Sequence, residues 1–247
     1  MRRRLRIFNV SGIMLNGRVD ALADWFRAEL SPVLVETFAP IPASRVLDSP
    51  ADAIARTGDH IDAFLSAAAR DDPEAHLIGV GRSFGGYMLL KAVSERASRL
   101  DGFSLLLAAE APLSPAIPVQ IPPLLPVLLP AARHYRERPV HAAVMVCALA
   151  GRDLSKVLTI GGAVDAVVAP GAHGLPGATR VVWGQHTEKR NALSDRDGSL
   201  HIELPAFAPG LSLETALLPR SYRTHLTWGD DKHRLVNRIV AAACGLG

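Results

Sequence analysis

Aromatic residues make up only 5% of this 247-residue chain, and cysteine occurs twice, as Cys147 and Cys244. Two cysteines in apolar stretches exclude a disulfide framework or a cysteine-based metal site, and predict buried free thiols in a reducing compartment, the cytoplasm. Scarce aromatics leave Ala, Val, Leu and Ile to build the core, which suits a parallel sheet covered by helices on both faces. Charge is sparse too, at 21% against 49% hydrophobic, and this excludes a disordered chain. The net charge is +3, yet the only tight basic run is Arg2, Arg3 and Arg4. Basic clusters interleaved with stacking aromatics are missing, so nucleic acid is not an expected partner.

Long unbroken apolar runs are also absent. The uncharged stretch from Ala111 to Ala132 carries seven prolines, at positions 112, 115, 118, 122, 123, 126 and 130, which no membrane-spanning helix would survive. The opening MRRRLRIFNVSGIML has a basic start and an apolar continuation. Asn9, Ser11 and Gly12 break that continuation and no small-x-small cleavage pattern follows, so a first strand and its loop are expected rather than a secretory signal.

What is present is a regular alternation of short apolar runs with helical periods. Leu5–Val10 and Val33–Phe38 read as strands. Residues 17–30 read as a helix, with Val19, Leu22, Trp25, Phe26 and Leu30 at helical spacing, and Ala51–Ala69 as a second one with Ile54, Ile61, Phe64 and Leu65 inward. Leu77, Ile78 and Val80 form a further strand, Phe103–Ala108 and Val157–Ile160 two more, and residues 141–150 and 235–243 further helices. This order predicts one α/β domain over residues 1–247: a doubly wound, mostly parallel sheet with ligands at the carboxyl ends of its strands. Two insertions interrupt the rhythm. An apolar, proline-punctuated cap is expected at about 111–156, and a hairpin-like insertion at about 171–220.

The run HLIGVGRSFGG, residues 76–86, is the most informative stretch. Gly81, Arg82, Ser83, Phe84 and Gly85 fit G-x-S-x-G, a nucleophile elbow between a strand and a helix. A β-carbon at Gly81 or Gly85 would strike the neighbouring helix or strand. Tyr87, Met88, Leu89, Leu90, Ala92 and Val93 continue as a well-patterned helix, so strand, corner and helix occur in the required order.

A serine hydroxyl needs a base, and nine histidines are available. The order serine, acid, histidine directs attention to the region before the last helix, where His225 is favoured over His233. For the acid, Asp165 follows an apolar strand and the pair Gly161 and Gly162. Asp197 is the alternative, with Asp195 third, although Asp197-Gly198 also reads as a hairpin turn. Two backbone amides would complete the constellation as an oxyanion hole: Phe84, next to the serine, and Ile13, in the loop after the first strand, where Gly12 permits close approach. The histidines form no close ligand pairs, and GVGRSFGG lacks a lysine to set against phosphates, so neither a metal nor any other cofactor is expected.

Taken together, GVGRSFGG, TIGGAVDAVV and THLTW followed by an amphipathic helix resemble the α/β-hydrolase superfamily, in its lipase/esterase-like branch, with a tail similar to that of GPI inositol-deacylase-like lipases. The resemblance implies Ser83, Asp165 in a Gly-Gly-x-x-Asp motif, and His225 shortly before Trp228 as a triad. Two features depart from it: Ser11-Gly12 stands where the family often has His-Gly, and no spanning helix is present. The expected activity is a serine hydrolase acting on a carboxylic ester, a lipid or another small acyl ester. A thioesterase or acyltransferase shares the same acyl-enzyme, and a binding module that has lost the chemistry is the non-enzymatic alternative.

Overall fold

The computed structural model describes residues 4–12, 22–30, 32–41, 47–114, 130–162, 168, 172–183, 234, 236–237, 239–241 and 244. The elements in chain order are β1 (Leu5–Val10), α1 (Leu22–Glu29), β2 (Val33–Phe38), α2 (Pro50–Asp71), β3 (His76–Arg82), α3 (Phe84–Glu95), the one-turn α4 (Ser98–Asp101), β4 (Leu105–Ala109), α5 (Pro130–Leu149), β5 (Val157–Gly162) and β6 (Thr179–Trp183). All the strands pair in parallel in a six-stranded sheet of order β2-β1-β3-β4-β5-β6. With the serine corner described below, this is the α/β-hydrolase fold.

Both faces of the sheet are covered, as expected of a core built from Ala, Val, Leu and Ile. Every residue of β1 is buried. Leu5 and Ile7 pack on one side with Leu22, Ala23 and Phe26 of α1 and with Val236 and Val240 of the closing helical segment. Phe8 and Val10 pack on the other with α2, α3 and α5, through residues such as Ile61, Phe64, Leu89 and Met145. Full burial of an Ile or Phe side chain contributes about 1.5–3 kcal/mol, so α2 is held chiefly by Ile54, Ile61 and Phe64. The same helix starts cleanly: the Ser49 side chain accepts from the Ala51 N–H and Pro50 occupies the first turn, where its missing donor costs nothing. The closing segment docks on α1, where Asn237 Nδ2 donates to Glu29 Oε2 at 3.0 Å and the Arg234 guanidinium lies 5.9 Å from the Trp25 ring centre.

Asp62 of α2 pairs with two arginines beyond α3, Arg96 at its end and Arg99 of α4. The Arg99 Nε and Nη2 groups donate to the two oxygens of Asp62 at 2.9 and 2.8 Å, and Nη1 donates to the Ala92 carbonyl at 2.6 Å. Its hydrogen bonds to Asp62 hold that carboxyl below the usual carboxylate range. The folded-state pKa is the depressed one, so this contribution is present above the unfolded carboxylate pKa and is lost as pH falls through the folded value. Asp62→Asn leaves a guanidinium that is 8% exposed without its anion, and is expected to cost about 2 kcal/mol at neutral pH. Urea midpoints at pH 7 and pH 3 check this, with the gap between variant and wild type closing in acid.

The structure revises several sequence expectations. The helix expected at residues 141–150 begins eleven residues earlier, at Pro130, and runs through Pro139. Pro130 sits at the first helical position, where proline is well tolerated, and Pro139 removes a single interior hydrogen bond without ending the helix. Cys147 is exposed on α5 rather than buried, whereas Cys244 is buried and its thiol is pushed up to about 11. Thr179–Trp183, expected inside a hairpin-like insertion, is instead the sixth strand, in parallel register with β5. Residues 115–129 of the expected cap and 184–220 of the expected insertion lie outside the described residues. Among the described residues, no helix is long and apolar enough to cross a membrane.

Candidate active site

The chain reverses its direction across the sheet between β1 and β3. From β1 it moves outward to β2, and from β3 onward it moves the other way to β4, β5 and β6. At such a switch point the connections leave the strand ends on opposite sides, and a crevice opens at the carboxyl edge. The residues that follow β1 and β3 at this edge are Ser11-Gly12 and Ser83.

Ser83 turns β3 into α3 within a single residue. Its φ is 52° and its ψ −129°, a left-handed backbone that is disfavoured for any residue with a β-carbon. The conformation is fixed from both sides: the Ser83 N–H donates to the Ala109 carbonyl of β4 at 2.7 Å, and its own carbonyl accepts from the Gly86 and Tyr87 amides at 3.0 and 3.3 Å. The Ser83 side chain makes no capping bond to α3, so the hydroxyl is not committed to the role serine usually plays at a helix start.

The flanking glycines are required by close approach. A β-carbon on Gly81 would come within 2.5 Å of the Gly86 α-carbon and 2.7 Å of its nitrogen. One on Gly85 would collide with the Val10 and Ser11 carbonyl oxygens at the end of β1. These are backbone atoms of paired strands and a helix, which have no side-chain rotation by which to yield. Gly12 brings the β1 loop directly against the serine: a β-carbon there would lie 3.5 Å from Ser83 Cβ and 4.0 Å from its Oγ. Ser11 anchors that approach by donating its N–H to the Phe38 carbonyl of β2 at 3.0 Å.

Phe84, the first residue of α3, directs its amide out of the helix's positive end, beside Ser83. Its ring is buried and stacks on Tyr87 at 5.9 Å, with His134 of α5 edge-on to both rings and His141 stacked on His134 at 4.2 Å. The elbow and the helix that follows the proline-rich stretch therefore share one aromatic cluster.

Of the expected site residues, the structure describes Ser83 and Phe84 and places them side by side. Ile13, Asp165, Asp195, Asp197, His225, His233 and Trp228 lie outside the described residues. Asp165 follows β5 by three positions. His225 falls between β6 and the closing helical segment, as does His186, which follows β6 by three positions and also lies outside the described residues. Two groups near this rim were not singled out from the sequence. Glu110, immediately after β4, is buried with a φ of 51°. His173 is fully buried, its ring directly against the Gly161 α-carbon of β5. Neither lies in a motif, and only the pairing of the strands brings them here. Among the described residues, no group of three or more His, Cys, Asp or Glu is arranged to hold a metal ion.

No family model matches the chain, and no curated protein does. Among solved structures it is similar to Est1E from Butyrivibrio proteoclasticus, at 14% identity and a TM-score of 0.46 over 68% of this chain and 71% of that one. It is similar to a soluble variant of monoglyceride lipase from Saccharomyces cerevisiae solved with a substrate analogue, at 13% identity and a TM-score of 0.45 over 73% and 76%. The RedJ thioesterase of prodiginine biosynthesis in Streptomyces coelicolor gives 15% identity and a TM-score of 0.39 over 72% and 75%. At such identities the likeness concerns the fold alone, which the strand order, parallel register and serine corner already define.

Proposed function

We propose that the protein is a serine hydrolase that cleaves a carboxylic ester through an acyl-enzyme. The observation that carries this reading is the backbone of Ser83: a serine held at φ 52° between β3 and α3, with its side chain not used as a helix cap. Strain of this kind persists where the surroundings over-determine it, and it clusters where chemistry is done.

In this reading the Ser83 hydroxyl attacks the ester carbonyl while His225 takes its proton, and Asp165 orients the imidazole and stabilises its charged form. The Phe84 and Ile13 amides receive the developing oxyanion, at about 3 kcal/mol for a donor of this type. His225 then returns the proton to the departing alkoxide. Water, deprotonated by the same histidine, releases the acyl group and restores the serine. The position of Gly12 against Ser83 supports the assignment of Ile13, since it brings the β1 loop within reach of the reacting carbonyl. Asp165 and His225 rest on the sequence motifs. The tail's likeness to GPI inositol-deacylase-like lipases, with the apolar character of residues 111–132, favours an acyl ester of lipid type as substrate.

A fluorophosphonate probe tests the reading, because its phosphorus is captured only by an activated serine. Folded protein is expected to gain one adduct, located by mass spectrometry on the peptide containing Ser83. Absence of labelling, or labelling at another serine, would overturn the proposal.

A further inference from the structure

Asn9 is a polar residue set in an apolar layer. It stands on β1 with Leu5 and Ile7, on the face of the sheet that α1 covers, and it is fully buried. Its register partners are Thr37 of β2 and Val80 of β3. Asparagine suits neither a strand interior nor an apolar layer, whereas valine would suit both.

Among the described residues, Asn9 Oδ1, Asn9 Nδ2 and Thr37 Oγ1 are buried atoms that meet no hydrogen-bond partner in the protein. Other buried hydroxyls are paired with backbone carbonyls: Thr57 donates to Ala53 at 2.7 Å, Ser94 to Lys91 at 2.7 Å and Thr159 to Thr179 at 3.3 Å. Ser11, beyond Asn9 on β1, donates to the Phe38 carbonyl at 3.3 Å. The three orphaned atoms form one group, because paired residues of adjacent parallel strands leave the sheet on the same side, about 4.8 Å apart. A partner for this group has to both give and accept hydrogen bonds, since a carboxamide offers donors and an acceptor and a hydroxyl offers one of each. It also has to be small, because Asn9 has no exposed surface. A charge is not called for: the row continues across the sheet as Val80, Leu107 and Leu158. Water meets all three conditions.

We propose that Asn9 and Thr37 form a binding site for an internal water molecule that bridges the Asn9 carboxamide and the Thr37 hydroxyl between β1 and β2. Such a water belongs to the fold as a side chain does, since polar groups out of contact with solvent lose more when left unbonded than a hydrogen bond returns. It fastens β1 to β2 one layer below Ser11-Gly12, the turn that lies against Ser83. The inference stands on the packing of the sheet and is independent of the hydrolase reading.

The test is nuclear Overhauser transfer between water and the Asn9 side-chain amide in the full-length, ¹⁵N-labelled protein, in wild type and Thr37→Val. Wild type is expected to give a cross-peak with the sign of a water that tumbles with the protein, and Thr37→Val, which keeps the shape but removes the hydroxyl, should weaken or abolish it. Thermal melting completes the cycle. Thr37→Val and Asn9→Leu should each lower the midpoint by about 4 °C, because each strands the polar atoms of the other residue. The double variant should lose clearly less than the sum, because the water and its remaining partner leave together. A wild-type Asn9 amide with no bound-water cross-peak would overturn the proposal, as would a cross-peak unchanged in Thr37→Val or strictly additive losses. If a variant does not fold, the wild-type cross-peak alone decides: its presence supports the site and its absence overturns it.

Discussion

Ser83→Ala is expected to abolish fluorophosphonate labelling and to lower ester hydrolysis by about 10⁴-fold or more, equivalent to about 5.5 kcal/mol of barrier at 1.36 kcal/mol per decade. Alanine retains the β-carbon, so the strain at this corner is unchanged and the fold should be too. Thermal melting of the variant within a degree or two of wild type would show that chemistry, not structure, was removed. Ser83→Gly separates the two further. Glycine adopts φ 52° without penalty, so that variant should be equally inactive yet more stable by about 1 kcal/mol. An inactive enzyme that is more stable than its parent would be direct evidence that the serine is kept in a costly conformation for its reactivity. Equal labelling of Ser83→Ala and wild type would remove the serine from the mechanism.

Gly85→Ala is expected to have the largest effect on stability. The added methyl would be driven into the Val10 and Ser11 carbonyl oxygens. β1 cannot retreat, because it is hydrogen-bonded to β2 on one side and β3 on the other, and Ser11 is further fixed to Phe38. Relief requires α3 to lift from the sheet, which would uncover Phe84, Met88 and Leu89. Overpacking that cannot relax costs about 3 kcal/mol, and we expect that loss in urea unfolding, together with loss of Ser83 labelling because the corner itself is displaced. A variant as stable as wild type would mean that the elbow is looser than its contacts indicate.

Much of the fold was legible because its signals are local. The strand, serine corner and helix over residues 76–95 announce themselves through glycines that only a tight corner needs, and the strands β1, β2 and β4 are short, mainly apolar runs bounded by turn residues. The onset of α5 was not legible, since Pro130 reads as one more breaker in a proline-punctuated stretch although it opens the helix, which also absorbs Pro139. β6 escaped notice because five residues, TRVVW, carry little periodicity and follow a turn at Gly177, whose φ is +85°. The exposure of Cys147 depends on which side of α5 faces outward, and composition carries no information on that. At the site, Ser83 and Phe84 could be named because neighbouring residues identify them. Glu110 could not, because its place at the rim depends on register between strands that are separated in sequence.

The hydrogen bond from Ser83 to Ala109 also bears on the order of assembly. The five-residue elbow is contiguous, but the carbonyl that clamps its strained backbone arrives only with β4, more than twenty residues later in the chain. An intermediate in which β4 is still undocked cannot keep the serine in its left-handed state, and the residue relaxes into an ordinary conformation. On the proposed hydrolase reading, nucleophilic competence is acquired late, with the long-range contacts that make parallel sheets slow to form, and a nascent or partly unfolded chain would carry an inert hydroxyl.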